Sequence, residues 1–298
     1  MPDHARAVLQ AIFVTFLWST SWVLIKVGLE EIPALTFAGL RYALAFVLLT
    51  PLLLRCEARR ALARLSRREW LLLVALGLVM YTLTQGAQVL ALDRLPAQTT
   101  SLVLSFSPVV VALLGMALLA ERPTAVQVVG VLGFLAGAAL FLLPAAFPAG
   151  QLVGLAIAVV GLFANAGAAV LGRFVNRDLA LPAASVTLVS MGVGSVVLLG
   201  VGTAVQGLPE LSLRGWAIVA WLAAVNTAFA FTLWNATLRR LSAMESSIVN
   251  NTMLIQIALL AWAFLGESLG GRQIAGLVVA SIGTLVVLVG AGARPRRA

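Results

Sequence analysis

Polar side chains recur along one face of an apolar stretch at residues 70–91. They are Tyr81, Thr84, Gln85 and Gln88. Their spacing of i, i+3, i+4 and i+7 is that of one face of an α-helix. Hydroxyls and carboxamides donate and accept hydrogen bonds without ionising, so this stripe suits the binding of a polar solute. Hydrogen bonding between helices is the alternative. We favour solute binding because two glutamines on one face provide more hydrogen-bonding groups than helix packing needs.

Other apolar stretches carry smaller sets of polar and aromatic side chains at helical spacing. The positions facing the stripe include tryptophans, and a polar wall opposite an aromatic wall suits an amphipathic solute. Trp22 could instead lie in an interfacial aromatic belt. We predict that the following side chains contact the solute: Trp18, Ser19, Trp22, Tyr81, Gln85, Gln88, Ser101, Ser105, Asn165, Trp234, Ser247, Asn250 and Asn251.

Residues for catalysis are missing from these stretches. The one cysteine, Cys56, and the one histidine, His4, fall in a loop and in the N-terminal tail, and the eleven acids fall in loops or at helix ends. An enzyme site needs a nucleophile with a base, a metal cluster or a carboxylate pair in one cavity. We therefore predict no enzyme activity, no metal and no cofactor. The missing counter-charge also disfavours export of lipophilic cations.

The elements that position these residues are membrane-spanning helices. The chain of 298 residues is 61% hydrophobic and 10% charged, whereas a soluble domain is about 25% charged. A spanning helix needs about 20 apolar residues. Ten stretches meet this need, at 8–27, 34–54, 70–91, 97–119, 124–143, 151–171, 182–205, 214–236, 243–264 and 271–290.

The basic residues are distributed unequally between the two sides of these ten spans. Fifteen of the 20 Lys and Arg residues fall on the side of both termini, four fall on the other side, and Arg41 falls within the second span. By the positive-inside rule both termini face the cytoplasm. The net charge of +9 is thereby a topology signal, so we predict a lipid-bilayer partner and no nucleic-acid partner.

The sequence repeats itself without gaps at an offset of 146 residues. Each copy holds five spans, an odd number, so the second copy enters the membrane from the opposite face. We therefore predict an all-α fold of two inverted five-helix repeats, at residues 1–145 and 146–298. Inverted repeats are typical of secondary transporters, although a duplication could also merely build a stable bundle. The matched pairs include Ser66 with Ser212, Trp70 with Trp216, Gly130 with Gly276 and Gly137 with Gly283.

Several motifs resemble the EamA domains of the drug/metabolite transporter superfamily in both halves of the chain. They are the run from Phe16 to Arg41, Ser107-Pro108, the turn Ala120–Pro123 and Gly266-Glu267. The chain also resembles the YddG-type amino-acid exporters. The family resemblance implies a ten-helix fold with a central substrate cavity lined by helices 1, 3, 4, 6, 8 and 9, and helices 5 and 10 at the periphery.

Charged and kink-forming residues near the membrane leave alternatives open. Arg41 and Lys26 could meet a substrate carboxylate, but snorkelling or pairing with Glu30 and Glu31 is the favoured interpretation. Pro108 leaves the carbonyl of Leu104 without its usual partner. This carbonyl could bind an ammonium group or permit a hinge, or the proline could be a tolerated kink.

Two further sets of residues have a structural interpretation. Glu121 and Glu267 precede Thr124 and Ser268, which are predicted N-caps, so the two acids are assigned to helix starts. The glycines of the fifth and tenth spans predict close helix packing.

Taken together, these patterns predict a secondary transporter of the bacterial inner membrane. We expect it to export small metabolites, most of all neutral amino acids with apolar or aromatic side chains, by alternating access. Another small metabolite or a drug-like solute is the alternative within this class, and a non-transporting membrane scaffold is the alternative outside it. The sequence specifies no oligomeric state, and a monomer is compatible with it.

Overall fold

The computed structural model describes residues 2–51, 62–107, 109–110, 124–142, 149–179, 181, 183–237, 249–250 and 252–292. Cys56, Pro108, Glu121, Ser247 and Asn251 lie outside these ranges, so the predictions for them remain predictions. The described residues are helical and contain no β-strand.

We number the helices α1 to α10 in chain order. Two of them, α3 and α8, run through a central π-helical segment without a break. The bounds are α1 Pro2–Gly28, α2 Ala34–Leu49, α3 Arg67–Gly77, Leu78–Thr84 and Gln85–Arg94, α4 Ala97–Leu104, α5 Ala125–Leu142, α6 Ala149–Asp178, α7 Ala183–Gln206, α8 Leu213–Ala223, Ala224–Phe229 and Ala230–Thr237, α9 Met253–Leu265 and α10 Gly271–Gly292.

Four described helices are long and apolar enough to cross a bilayer. They occupy Ala5–Gly28, Arg67–Arg94, Gln151–Gly172 and Ser185–Gln206 and contain 22 to 28 residues each. Shorter apolar helices lie in α2, α5, α8, α9 and α10. The chain is thus a multi-pass helical membrane protein.

Helix α1 shows how the sequence separates a packed face from a lipid face. Ala7, Ala11 and Ser19 are fully buried, at positions spaced by multiples of four. Phe13 and Phe16, on the other side of the helix, are 48% and 46% exposed. A helix with large apolar side chains exposed on one side is suited to contact lipid there.

The chain divides into two compact units, and each of them draws helices from both halves of the sequence. One unit comprises Met1–Val23, Leu95–Leu155 and Leu233–Ala298. The other comprises Leu24–Arg94 and Ala156–Thr232. Below, the first is called the α4–α10 unit and the second the α2–α7 unit. Each name gives two helices that the unit contains and is not a range.

In the α4–α10 unit, α5 and α10 pack antiparallel through glycines. A Cβ atom on Gly276 would lie 2.8 Å from the carbonyl oxygen of Gly137, and one on Gly283 would lie 2.7 Å from that of Gly130. The prediction of close packing at these glycines is confirmed. The two contacts are equivalent in the repeat. Replacing each glycine by its partner 146 positions away converts one contact into the other, since Gly130 matches Gly276 and Gly137 matches Gly283.

In the α2–α7 unit, α2 and α7 also run antiparallel in close contact. A Cβ atom on Gly39 would lie 2.5 Å from the Cα of Leu199. One on Gly192 would lie 2.7 Å from the ring of Phe46, and these two residues are themselves 146 positions apart. Small residues thus let the two backbones approach each other.

The π-helical segments of α3 and α8 occupy matching positions. The first is Leu78–Thr84 and the second Ala224–Phe229, so both begin at the same point of the repeat. In a π-helix the i→i−5 pattern replaces the usual i→i−4 bonds, and such segments occur often at functional sites. Thr84 and Thr227 follow this pattern with their side chains, since each hydroxyl donates to the carbonyl five residues earlier.

Matching serines begin the two π-containing helices. Ser66 and Glu69 form a capping box at the start of α3. Ser212 accepts a bond from the amide of Gly215 at the start of α8, and Glu31 takes the role of the box carboxylate by accepting from the Ser212 amide at 2.6 Å. A Cβ on Gly215 would collide with that carboxylate. Glycine at 215 therefore makes room for a carboxylate from the α1–α2 loop.

Candidate functional site

A buried polar network lies in the α4–α10 unit, between α1 and the start of α9. The Ser19 hydroxyl donates to Gln256 Oε1 at 2.9 Å. The carboxamide nitrogen of Gln256 donates to Thr252 at 3.0 Å and to Thr15 at 3.3 Å. Ser19 and Thr15 are fully buried. Ser19 is therefore buried in the helix packing with a partner from α9, and its contact with the solute remains a prediction.

Acceptors outnumber donors in this network. The Ser19 hydroxyl also lies 2.8 Å from the carbonyl oxygen of Thr15, and a single hydroxyl proton serves one acceptor at a time. Both amide protons of Gln256 are already used. The Gln256 carbonyl oxygen has two lone pairs and, among the described residues, accepts from Ser19 alone, so it can accept a further hydrogen bond, for example from an ammonium or hydroxyl group.

Two tryptophans for which we predicted solute contact pack against each other in the same unit. The ring centroids of Trp18 and Trp234 are 5.1 Å apart at an interplanar angle of 51°. Trp18 directly precedes Ser19 on α1, so the aromatic pair and the polar network lie within one turn of the same helix. Trp22 is 6% exposed, which contradicts its alternative assignment to an interfacial belt.

The helix 3 stripe divides into an internal part and an open part. Tyr81 is buried against Tyr42, with ring centroids 5.5 Å apart, and Thr84 bonds within its own helix. Gln85 and Gln88 are half-buried, and neither side chain makes a hydrogen bond to any part of the chain that the structure describes. Interhelical hydrogen bonding therefore does not explain these two glutamines in the described structure.

The remaining predicted side chains have varied environments. Ser101 and Ser105 donate to carbonyls of their own helix, at Gln98 and Leu102. Asn165 is half-buried in α6. Asn250, at the start of the α9 region, is exposed, so the structure places it outside the buried network.

The structure contradicts the favoured interpretation of Arg41, which was snorkelling or pairing with an acid of the α1–α2 loop. Arg41 neither snorkels nor pairs with Glu30 or Glu31, because it is 5% exposed and donates from Nε to Thr227 Oγ1 at 3.0 Å. Glu30 instead lies 3.7 Å from Arg214, and Glu31 caps α8.

Two other charged residues also have partners that the sequence did not indicate. The Lys26 ammonium group donates to the carbonyl of Leu92 at the end of α3. Glu267 caps α4 rather than α10, because its carboxylate accepts from the amides of Ala97 and Gln98 at 2.7 and 3.2 Å. The predicted N-cap Ser268 is also wrong, since Gln273 accepts from the Gly270 amide at the start of α10.

Sequence reasoning missed Gln256 and Thr252. They are four residues apart, the helical spacing that revealed the stripe on helix 3, and this signal was available in α9. Their partners Thr15 and Ser19 have the same spacing on α1. Among the described residues, no group of three His, Cys, Asp or Glu side chains could hold a metal ion.

A crystal structure in the same fold covers 99% of this chain and 100% of its own, with a TM-score of 0.69 and 19% identity. The likeness at this identity concerns the fold.

Three relatives are named as transporters. The chain is 29% identical over 313 residues to the "Uncharacterized transporter YvbV" of Bacillus subtilis strain 168, covering 100% of this chain and 95% of that protein. It is 27% identical over 303 residues to the "Probable amino-acid metabolite efflux pump" of Salmonella typhimurium strain LT2, covering 94% of each. It is 28% identical over 277 residues to the "Probable terminal-alkyne amino-acid exporter" of Streptantibioticus cattleyicolor, covering 88% and 86%.

The model of one protein family matches both halves of the sequence, at residues 5–143 and 152–289. These ranges contain all the helices that carry the polar network and the glutamine stripe. The apolar spans, the duplicated arrangement and the match agree, and the chain belongs to the EamA-like transporter family.

Proposed function

We propose that this protein exports neutral amino acids with apolar or aromatic side chains across the inner membrane of a bacterium by alternating access. The observation that carries the proposal is the Ser19–Gln256 network beside the Trp18–Trp234 pair. An amino acid offers an ammonium donor for the open acceptor of Gln256 and an apolar side chain for the indoles. Separately, Gln85 and Gln88 of the α2–α7 unit are half-buried and make no side-chain hydrogen bond to the described residues.

The direction and the solute class draw support from the names of two relatives. One is named as an efflux pump for amino-acid metabolites and the other as an exporter of an amino acid. Another small metabolite exported by the same fold is the second candidate. A non-transporting scaffold would have no use for half-buried carboxamides that make no hydrogen bond to the part of the chain that the structure describes.

Alternating access rests on the proposed arrangement of ten spans in two inverted repeats, divided at residues 1–145 and 146–298. The paired contacts Gly137–Gly276 and Gly130–Gly283, the matching π-helical segments and the matching serine caps all support a repeat at an offset of 146. An inverted repeat provides two conformations of similar energy, as alternating access requires.

Counterflow into proteoliposomes tests the solute class. Vesicles loaded with unlabelled solute are given a labelled panel of leucine, phenylalanine, glucose 6-phosphate and a cationic dye. We expect the two amino acids to exchange, and protein-free vesicles give the baseline. Selective movement of the dye or the sugar phosphate would reject the amino-acid proposal, and no flux of any solute would favour the scaffold.

A reporter fused after Arg297 tests the topology separately. Ten spans with the basic loops inside place both termini in the cytoplasm. We expect cytoplasmic reporter activity from this fusion and from a fusion before Met1. A periplasmic C-terminus would require an odd number of spans and would remove the inverted repeat.

A further inference from the structure

A buried cation lies within α2. Arg41 is seven residues from the start of the helix at Ala34, about 10 Å along the axis. It is 5% exposed and is the one charged side chain among the buried residues of the described chain. A permanent positive charge in this position is costly unless an anion or several acceptors offset it.

The protein holds one edge of this guanidinium in place. Arg41 Nε donates to the hydroxyl oxygen of Thr227 at 3.0 Å. The Thr227 hydroxyl donates in turn to the carbonyl of Leu222 at 2.8 Å, a bond that belongs to the π-helical segment of α8. The hydroxyl proton is thereby directed away from Arg41, and its oxygen faces Nε as an acceptor.

The other edge of the guanidinium has no acceptor among the described residues. Among the described residues, neither Nη atom of Arg41 donates a hydrogen bond, and no carboxylate lies within 4.0 Å of them. The ring centroid of Tyr42 lies 5.2 Å from Cζ. Tyr42 is fixed in turn by Tyr81. Two adjacent Nη groups in one plane match the two oxygens of a carboxylate.

Helix packing does not explain the charge. The position that matches Arg41 in the second copy is Thr187, on α7, which packs antiparallel against α2. The same helix pair thus accommodates a small hydroxyl side chain at one matching position and arginine at the other. The repeat therefore does not require a charge at this position.

We propose that the Nη groups of Arg41 bind the carboxylate of the transported solute, with Thr227 as the positioning residue that sets the plane of the guanidinium. This inference rests on the proposed function and narrows its substrate class to solutes with a free carboxylate. Amines, amides and sugars of similar size lack the anion that this site requires.

The test compares three ligands that differ at one group: phenylalanine, phenylalaninamide and 3-phenylpropanoate. Wild type is compared with Arg41→Lys, Arg41→Gln and Thr227→Val, and Arg214→Gln serves as the control for loss of a surface arginine. Counterflow gives transport, and ligand-induced thermal stabilisation of the purified protein gives binding without transport. The unliganded melting temperature of each variant reports folding.

In wild type we expect phenylalanine to be preferred over phenylalaninamide by at least tenfold. Arg41→Gln abolishes the preference by lowering phenylalanine transport at least tenfold while leaving the amide unchanged. Arg41→Lys keeps part of the preference, and Thr227→Val weakens phenylalanine binding several-fold. If Arg41→Gln does not fold, the lysine and Thr227→Val variants carry the comparison.

The outcomes separate this inference from the proposed function. One outcome is amino-acid flux with an unchanged preference for the carboxylate in Arg41→Gln, or in both Arg41→Lys and Thr227→Val if the glutamine variant does not fold. This outcome would overturn the role of Arg41 and leave the proposed function intact. Absence of amino-acid flux, with 3-phenylpropanoate stabilising wild type but not Arg41→Gln, would support the carboxylate site and reject the amino-acid exporter. If neither carboxylate ligand stabilises wild type, the inference is rejected.

Discussion

The side chains of Ser19 and Gln256 meet at 2.9 Å within one compact unit, although they lie 237 positions apart in the chain. The bond joins α1 to α9 through a hydroxyl proton for which a backbone carbonyl also competes. The network is therefore held in place by its own hydrogen bonds, and among the described residues the Gln256 carbonyl oxygen accepts from Ser19 alone, which leaves one of its lone pairs for a solute. This combination distinguishes a binding surface from a fully satisfied polar contact between helices.

Replacement of Gln256 by alanine should lower transport more than stability. A hydrogen bond to a charged group contributes about 1.5–3 kcal/mol, so losing the contact to a solute ammonium should lower kcat/KM by roughly 10- to 100-fold. Initial rates of labelled phenylalanine uptake into proteoliposomes measure the effect.

Gln273→Ala is the matched control for this variant. Gln273 accepts from the Gly270 amide at the start of α10, so its loss removes a helix cap without touching the network. We expect its transport to stay within about twofold of wild type, since a cap contributes about 1 kcal/mol to stability. Equal transport in Gln256→Ala and Gln273→Ala would contradict the proposed site.

Gln85→Ala should leave the melting temperature unchanged and reduce transport severalfold. Its carboxamide makes no hydrogen bond to the described residues, so its removal costs the fold little. Gln98→Ala should do the reverse, because the Gln98 carboxamide donates to the carbonyl of Glu267 at 3.2 Å and is 3% exposed. A buried carbonyl without its donor costs about 1–3 kcal/mol. Thermal unfolding and counterflow on both variants provide the comparison, and a lower melting temperature in Gln85→Ala would restore the packing explanation.

Local periodicity was sufficient to predict much of the fold. Apolar runs of spanning length located the helices, and the glycines of α5 and α10 identified a contact that the structure contains. The polar stripe of helix 3 was found in the same way. Ser66 and Glu69 form a capping box whose members are three residues apart, a local signal that we did not predict.

Pairings between distant segments could not be predicted. Glu31 caps α8 and Glu267 caps α4, although local spacing associates each of them with its own loop. Arg41 lies close to Glu30 and Glu31 in sequence but bonds to Thr227 on another helix. A short-range pattern contains no information about which distant helix start lacks an acceptor or which hydroxyl faces a cation.

Gly137→Ala should destabilise the protein through the α5–α10 contact. The added Cβ would collide with the backbone amide of Ala280 and lie 2.7 Å from the carbonyl oxygen of Gly276. Overpacking of this kind costs about 1–3 kcal/mol.

The matched change is Gly167→Ala on α6, where an added Cβ meets nothing within 4 Å. It should be neutral or slightly stabilising, because alanine favours a helix over glycine by up to about 1 kcal/mol. Thermal unfolding of the two purified variants measures the difference, and similar melting temperatures would show that the α5–α10 contact tolerates a methyl group.

Transport should not require a proton gradient. Proton-coupled carriers commonly relay protons through buried Asp, Glu or His, and the described residues bury arginine as their one charged side chain. Hydroxyls, carboxamides and guanidinium groups keep their protonation state across the accessible pH range. A neutral zwitterion then moves down its own gradient, which suffices to export a metabolite that accumulates in the cytoplasm.

The measurement imposes a pH gradient of either sign on proteoliposomes that contain equal amino acid on both sides. We expect no net accumulation. Uphill uptake that a protonophore abolishes would demonstrate coupling, and its loss in Glu245→Gln would assign the proton to a carboxylate that lies outside the described residues.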